Sequence, residues 1–368
     1  MKKFLKILKL ILEAFRDLFI GLLPQKMGRI LIKEKGEFAF LVHPRDLSDV
    51  QRKYPFMKNF PNWFLKLFIY LLWPVICSQV IGLKRENGEE IKGWIIGCPL
   101  AASQMLKNRK LAKKKILKTA KLAEKLGVKI IGLGALISSL TNGGLELANK
   151  IRTPLTTGNS YTVAVTLEGV NKIIKEKNID LRLSWIAIIG ATGSTGEAVS
   201  KILASKAFKL ILIGRTPKHL YSLADSLCEI NPKIVAEVST DVRSIIKADI
   251  VIVATSAIEA LVKQEHLKIG AVVYDITQPQ NVSPDIIKIR KDILVIDGGL
   301  VETPGINFHF NFGLPREIAF ACLAETMLLA LEGKFDRSFV GRVKIDQVKK
   351  LKELGEKYGF RPTESLMI

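Results

Sequence analysis

The sequence predicts an α/β protein built on a doubly wound parallel sheet, and three observations carry that prediction. An apolar run, "WIAIIG", enters a glycine-rich turn that opens a helix, all within residues 185–206. Five further strand-like runs follow, "KLILIGR", "KIVAEVS", "DIVIVATS", "GAVVYDI" and "DILVIDGG", with helix-sized intervals between them. Apolar runs alternating with amphipathic stretches are how a helix-covered parallel sheet reads in sequence. The third observation is composition: 48% hydrophobic and 25% charged residues fit a chain that buries a core rather than a disordered one, and 368 positions suit one large domain or two to three ordinary ones. The expected partition is a basic amphipathic helix over 1–35, an N-terminal α/β substrate domain over 36–184, a Rossmann domain over 185–305 and a C-terminal helical part over 306–368.

Charge is unevenly placed. Of a net +21, residues 1–150 hold 28 Lys/Arg against 11 Asp/Glu, whereas residues 151–368 hold 28 against 24. A basic half implies an anionic partner. No DNA-reading motif accompanies the charge, so nucleic acid is not expected. The four cysteines, Cys77, Cys98, Cys228 and Cys322, form no C-x-x-C pair, and the four histidines are scattered. That pattern predicts a reducing, cytoplasmic setting with neither a disulfide framework nor a metal centre.

The chain opens on "MKKFLKILKLILEAFRDLFIGLL", in which Lys2, Lys3, Lys6, Lys9, Glu13, Arg16 and Asp17 recur at helical spacing. Charges interrupt the apolar run, which disfavours a signal peptide or a spanning helix. Two readings stand: a helix lying on an anionic membrane surface, which would make the protein peripheral, or a helix docked on its own protein. "FPNWFLKLFIYLLWPVIC" (60–77) is broken by Lys66 and Pro74. It is core, a tryptophan-bearing membrane face or a greasy channel lining. Asn87-Gly88 then marks a hairpin turn. "NRKLAKKKILKTAKLAEKLG" (108–127) reads as a basic amphipathic helix with Ile116, Leu117, Ala120 and Ala123 inward and Gly127 at its end. Its lysines form a solvated face or dock an acidic carrier protein. "VKIIGLGALISSL" is a buried strand running into a turn. In "TPLTTGNSYT" a helix begins near Ser160 or Tyr161, and Thr156, Thr157 and Asn159 stand before it. Such hydroxyls cap helices, and they also hold polar substrate groups. Thr157, Gly158 and Asn159 are the candidate substrate contacts.

The glycine motif is Gly190-x-x-Gly193-x-x-Gly196, with Thr192, Ser194 and Thr195 inside it. Gly190 permits the tight turn, Gly193 admits a pyrophosphate and Gly196 lets helix and strand approach. The helix N-terminus favours the phosphates. Thr255, ending "DIVIVATS", joins the candidate cofactor contacts. An NAD site closes its second strand with an acidic residue; this chain has Gly214-Arg215-Thr216-Pro217-Lys218. Arg215 and Lys218 suit a 2′-phosphate, so NADPH is the expected cofactor.

These residues resemble the cyanobacterial-type long-chain acyl-[acyl-carrier-protein] reductases, which form fatty aldehydes. The resemblance runs from about Phe40 to Pro362 through "IIGCPLAASQML", "IIGLGALISSL", "TTGNSYT", "GATGSTGEAV", "GGLVE", "AFACLAETMLLALEG" and "YGFRP". It implies that Cys322 is the nucleophile and that an acyl carrier protein or acyl-CoA brings the acyl group. Departures occur at Thr277-Gln278, where the family has a glycine pair, in "TPGINFHFNFGLP", and over the first 35 or so residues. Thioester reduction gains from a covalent step, which a partly ionised thiol supports. With Pro315 in the first turn of the "PREIAFACLAETMLLALEG" helix, Cys322 falls two turns in, too deep for much help from the helix dipole. Glu325 nearby would oppose ionisation. Without the resemblance Cys322 reads as a buried filler. Cys77, Cys98 and Cys228 read as ordinary packing residues, His309 as a polar position or a general acid, and Asp275 and Asp297 as supporting contacts near the cofactor. The rival reading is a non-covalent NADP-dependent dehydrogenase of the amino-acid or shikimate type.

Overall fold

A computed structural model describes residues 18–22, 36–257, 260–278, 280–283, 285–336 and 338–363. The expected amphipathic helix of the N-terminus lies outside the described residues, apart from Leu18–Leu22. Two compact units make up the chain: Met1–Gly158 with Pro304–Glu317 and Thr326–Gly341, and Asn159–Thr303 with Ile318–Glu325 and Arg342–Ile368.

The first unit holds a five-stranded sheet of β1 (Phe38–Val42), β2 (Val75–Lys84), β3 (Glu90–Gly97), β4 (Ile130–Leu133) and β5 (Leu155–Thr156), in the order β2-β3-β1-β4-β5. β3, β1, β4 and β5 run parallel and β2 is antiparallel to β3. The Asn87-Gly88 turn joins β2 to β3 as expected: Gly88 adopts φ +83° and the Asn87 side chain accepts from Glu89 N at 3.0 Å. The tail of the 60–77 run enters β2. Its front forms the helix Asn62–Leu71, which turns Leu65 and Ile69 onto Val50, Met57 and Ala101.

The basic helix is Arg109–Lys125. Asn108 caps it through Leu111 N, and Gly127 follows at φ +80°. Its buried stripe includes Ile116, Ala120 and Ala123 as expected, and also Lys115. The Lys115 ammonium donates to the carbonyls of Tyr70 (2.5 Å), Leu72 (2.8 Å), Ile69 (3.3 Å) and Pro99 (3.3 Å). It thus satisfies the C-terminal carbonyls of the Asn62–Leu71 helix, which have no partner within that helix.

The second unit carries six parallel strands, β6 (Ile186–Ile189), β7 (Lys209–Ile213), β8 (Val235–Ser239), β9 (Ile250–Val253), β10 (Val272–Asp275) and β11 (Leu294–Asp297), in the order β11-β10-β9-β6-β7-β8. This is the doubly wound dinucleotide-binding order, with its switch between β6 and β9. The central strands β6, β9 and β10 are buried on both faces, so they read as continuous apolar runs. Helices Asn159–Glu176, Ser194–Ala204 and Pro217–Ile230 pack side by side, and Ile345–Lys357 packs on the first of them. A small antiparallel sheet of β12 (Leu300–Glu302), β13 (Ile318–Phe320) and β14 (Arg361–Pro362) completes the unit, with β12 central. Among the described residues no helix is long and apolar enough to cross a membrane, and no cluster of His, Cys, Asp and Glu suits a metal.

Candidate functional site

The glycine-rich turn is built as its spacing demands. Gly190 adopts φ +82°, and a Cβ there would lie 2.5 Å from the Ala254 carbonyl oxygen at the end of β9. Only glycine fits both demands. A Cβ on Gly196 would collide with the Gly190 carbonyl, so this glycine sets how closely helix and strand approach. Gly193 is exposed; a Cβ there would meet only the Gly190 and Ala254 oxygens, at 3.2 and 3.8 Å. Its open side is what a pyrophosphate needs. Gly193 N donates to Gly190 O (2.9 Å) and Glu197 N to Gly193 O (2.8 Å), which starts the helix Ser194–Ala204. Within the turn, the Ser194 hydroxyl accepts from Val343 N at 3.0 Å and the Thr192 carbonyl accepts from Arg342 at 3.1 Å. Arg342 also pairs with Glu197. Thr195 is half-buried in the first turn.

β7 ends beside this turn. Arg215 and Lys218 are exposed, flank the start of the helix Pro217–Ile230, and have no ion-pair partner among the described residues. Two available cations and no carboxylate suit a phosphorylated ribose. These residues fit a dinucleotide: glycines for the pyrophosphate, cations for the adenosine end.

The other end follows from strand register. Ile189, Val253, Asp275 and Asp297 stand in one row across β6, β9, β10 and β11. Gly190, Ala254, Ile276 and Gly298 therefore lie along one carboxyl edge, with neighbouring strands about 4.8 Å apart. Thr255 follows on β9, half-buried, its hydroxyl accepting from Ala257 N at 3.3 Å. A dinucleotide with its adenosine at β7 directs its nicotinamide toward β9 and β10.

Cys322 stands just past that end. The helix carrying it is Ala321–Glu332, so the cysteine is the second helical residue, not one two turns in. Pro315 does not start the helix: Glu317 takes φ +61°, and Ile318–Phe320 form β13 against β12 instead. Ala321 N donates to Gly299 O at 2.8 Å. A Cβ on Gly299 would contact Ile276 and Thr162, and one on Gly298 would strike the Tyr274 ring. The first turn of Cys322's helix is thus fastened to the loop after β11, the strand beside β10. At the first turn of a helix the dipole favours an anion.

Glu325 is buried, and its carboxylate accepts from Tyr161 N at 2.7 Å, at the start of the helix Asn159–Glu176. The charge expected to oppose the thiolate is thereby directed to a helix N-terminus, where it is stabilised. Asp275 is equally committed. Its carboxylate accepts from Thr277 N and Oγ1 (2.9 and 2.6 Å), Asn281 N (2.8 Å) and Val282 N (3.2 Å), and burial raises its pKa. It shapes the loop that departs from the family's glycine pair. Asp297 accepts from Gln280 at 3.0 Å. Of the other cysteines, Cys98 is fully buried and burial pushes its thiol up to about 11. Cys77 is half-buried and Cys228 exposed.

Thr157 and Gly158 belong to the first unit and Asn159 opens the second. Thr157 N donates to Phe339 O at 3.0 Å, and Gly158 adopts φ +75°. They follow β5, on the same carboxyl edge as His43 after β1, Cys98 after β3 and Ala135 after β4. His43 was not singled out by the sequence. It is buried, donates through Nδ1 to Pro44 O (2.9 Å) and accepts at Nε2 from Leu136 N (3.3 Å); burial lowers its pKa and holds it neutral. Ala135 carries a left-handed φ of +45° beside it. The signal available in the sequence is His43's place directly after an apolar run. His309, also at φ +45°, is tied to Gln79 O and Asn307 at 3.1 Å each, a loop-holding role.

Comparison with known proteins agrees with this geometry for part of the chain. Residues 172–297 match the family model for Shikimate / quinate 5-dehydrogenase. The chain is 30% identical over 280 residues to "Aminotransferase PigE" of Serratia sp., covering 74% of this chain and 33% of that protein. It is 29% identical over 308 residues to the "Long-chain acyl-[acyl-carrier-protein] reductase" of Synechococcus elongatus, covering 78% and 87%. "Glutamyl-tRNA reductase" of Thermosipho melanesiensis is 28% identical over 156 residues, 42% of this chain and 40% of that protein. The chain thus spans about a third of the first of these relatives. Together the strand order, the glycine turn and the dehydrogenase match define an NAD(P)-type Rossmann domain of the oxidoreductase kind.

Proposed function

We propose that the protein reduces a long-chain acyl thioester to a fatty aldehyde with NADPH, through an acyl-enzyme on Cys322. The observation that carries this reading is the position of Cys322 in a helical first turn fastened to Gly299, at the nicotinamide side of the dinucleotide sheet. The similarity to the Synechococcus reductase, which covers most of both chains, supports it.

In this reading the Cys322 thiolate attacks the acyl carbonyl carbon. A carbon–sulfur bond to the enzyme forms, the bond to the carrier breaks, and the carrier leaves as a thiolate that takes a proton from solvent. Bound NADPH supplies the hydride that turns the cysteinyl thioester into aldehyde. Cys322 is released as the thiolate with which it began, stabilised again by the first-turn N–H groups. Gly190, Gly193 and Gly196, with Thr192, Ser194 and Thr195, hold the pyrophosphate, Arg215 and Lys218 take the 2′-phosphate, and Thr255 lies toward the nicotinamide. Thr157, Gly158 and Asn159 contact the substrate. Acyl carrier protein or acyl-CoA delivers the acyl group.

A second reading, a non-covalent NADP-dependent dehydrogenase, is favoured by the family-model match over 172–297. One experiment separates the two. Cys322→Ser should fold and bind NADPH but lose aldehyde formation by roughly three orders of magnitude or more, because serine without an adjacent base is a poor nucleophile. Cys228→Ser should stay active. Substantial aldehyde from folded Cys322→Ser favours the non-covalent reading.

A further inference from the structure

The helix Asn62–Leu71 and the turn before it present an unusual outer face. Leu65 and Ile69 point inward, while Phe56 (61% exposed), Trp63 (67%), Leu67 and Leu71 (70%) point to solvent, with Phe60, Phe64 and Tyr70 beside them. The rings form one continuous strip: Phe60 stacks on Phe64 with centroids 5.0 Å apart, and Trp63 meets Phe64 edge-on at 6.0 Å. Such clustering of large apolar groups on a surface marks an interaction site. The strip continues past the helix. Trp73 donates to Leu18 O at 2.6 Å and its ring lies 5.6 Å from that of exposed Phe19, with exposed Leu22 three residues on.

Charge identifies the occupant. No Asp or Glu occurs between Asp49 and Glu86, whereas Arg52, Lys53, Lys58, Lys66, Lys84 and Arg85 all do. Lys58 and Lys66 are exposed within the strip itself. A second copy meeting this face by two-fold symmetry would set Lys58 and Lys66 against their own copies with no acid from this segment to offset them. Phosphate headgroups offset them directly. The depth also fits: a ten-residue helix lying flat, about 15 Å long, presents one apolar side to the headgroup–acyl boundary. Trp63 and Tyr70 are the side chains that favour that level.

We infer that this face seats the protein on an anionic lipid bilayer, with Phe56, Trp63, Leu67 and Leu71 in the boundary and Lys58 and Lys66 on the headgroups. The inference concerns a surface remote in kind from thioester chemistry and stands or falls independently of it.

The test is flotation of the full chain with phosphatidylcholine vesicles, with and without phosphatidylglycerol. The unaltered chain should float with the anionic vesicles, less so in high salt. The double variant Trp63→Asp/Leu67→Asp, which alters two exposed positions, should bind at least about tenfold more weakly at unchanged melting temperature. As a check that leaves the helix intact, spin-labelled lipid should quench tryptophan fluorescence in the unaltered chain and do so far less in Trp63→Phe. Absence of flotation by the unaltered chain overturns the inference. So does equal flotation by the double variant, or unchanged quenching in Trp63→Phe. A dimer that the double variant converts to monomer, without vesicle binding, assigns the face to a second copy and likewise overturns it.

Discussion

At the scale of a single side chain, the proposed preference for NADPH rests on Arg215. It stands exposed after β7, has no ion-pair partner among the described residues, and no carboxylate shares its strand end. Arg215→Ala should weaken NADPH by about 1.5–3 kcal/mol, the size of a charge-assisted hydrogen bond, and leave NADH nearly unchanged. Fluorescence titration with both cofactors measures this, and equal losses would show that the guanidinium does not read the 2′-phosphate. The residues of the turn were legible because glycines declare backbone needs directly. Gly190 and Gly196 each sit where a Cβ would strike backbone. The surroundings of Cys322 were not legible, because an apolar run such as "IAFACLAETMLLALE" serves a strand or a helix equally. Pairing of Ile318–Phe320 with Leu300–Glu302, a contact distant in sequence, decided where the helix begins. That shift brings the cysteine into the first turn, where the proposed thiolate would meet the favourable end of the helix dipole.

Among elements, the helix Ser194–Ala204 depends on one of its own residues and the helix Asn62–Leu71 on one residue of a neighbour. Gly196→Ala would force the first helix away from the Gly190 carbonyl, at a cost of about 1–3 kcal/mol and with loss of dinucleotide binding. Urea unfolding and NADPH titration report the two effects, and a variant with unchanged affinity would deny Gly196 its spacing role. Lys115 holds the other helix by its terminal carbonyls. Lys115→Met should destabilise by about 1–3 kcal/mol, because those carbonyls lose their donor. Burial lowers the Lys115 pKa to about 8, below the unfolded value of about 10.4. Between those values the unfolded chain binds more protons, so the contribution of Lys115 to stability rises with pH across that window. Urea midpoints from pH 7.5 to 10.5 should therefore climb relative to those of Lys115→Met; a flat difference would contradict the assignment. Sequence periodicity located the helix Arg109–Lys125 and most of its stripe, but a lysine at a core position reads as surface until the carbonyls it meets are known.

For the whole molecule, charge is the property with functional reach. The first 150 residues hold most of the positive excess, and Lys113, Lys114, Lys118 and Lys121 of the helix Arg109–Lys125 are exposed. If an acidic carrier protein docks on that half, KM for a carrier-bound acyl group should rise with ionic strength much more than KM for acyl-CoA, since screening acts over about 10 Å at 0.1 M salt. Equal salt dependence would place the carrier elsewhere. The central claim, an acyl-enzyme at Cys322, is tested most directly by mass spectrometry. The protein is mixed with a long-chain acyl thioester in the absence of NADPH, digested and mapped. The account predicts one acyl adduct, on the peptide containing Cys322, that disappears with release of aldehyde when NADPH is added. Turnover to aldehyde with no adduct on Cys322, or an adduct there that NADPH does not discharge, would contradict it.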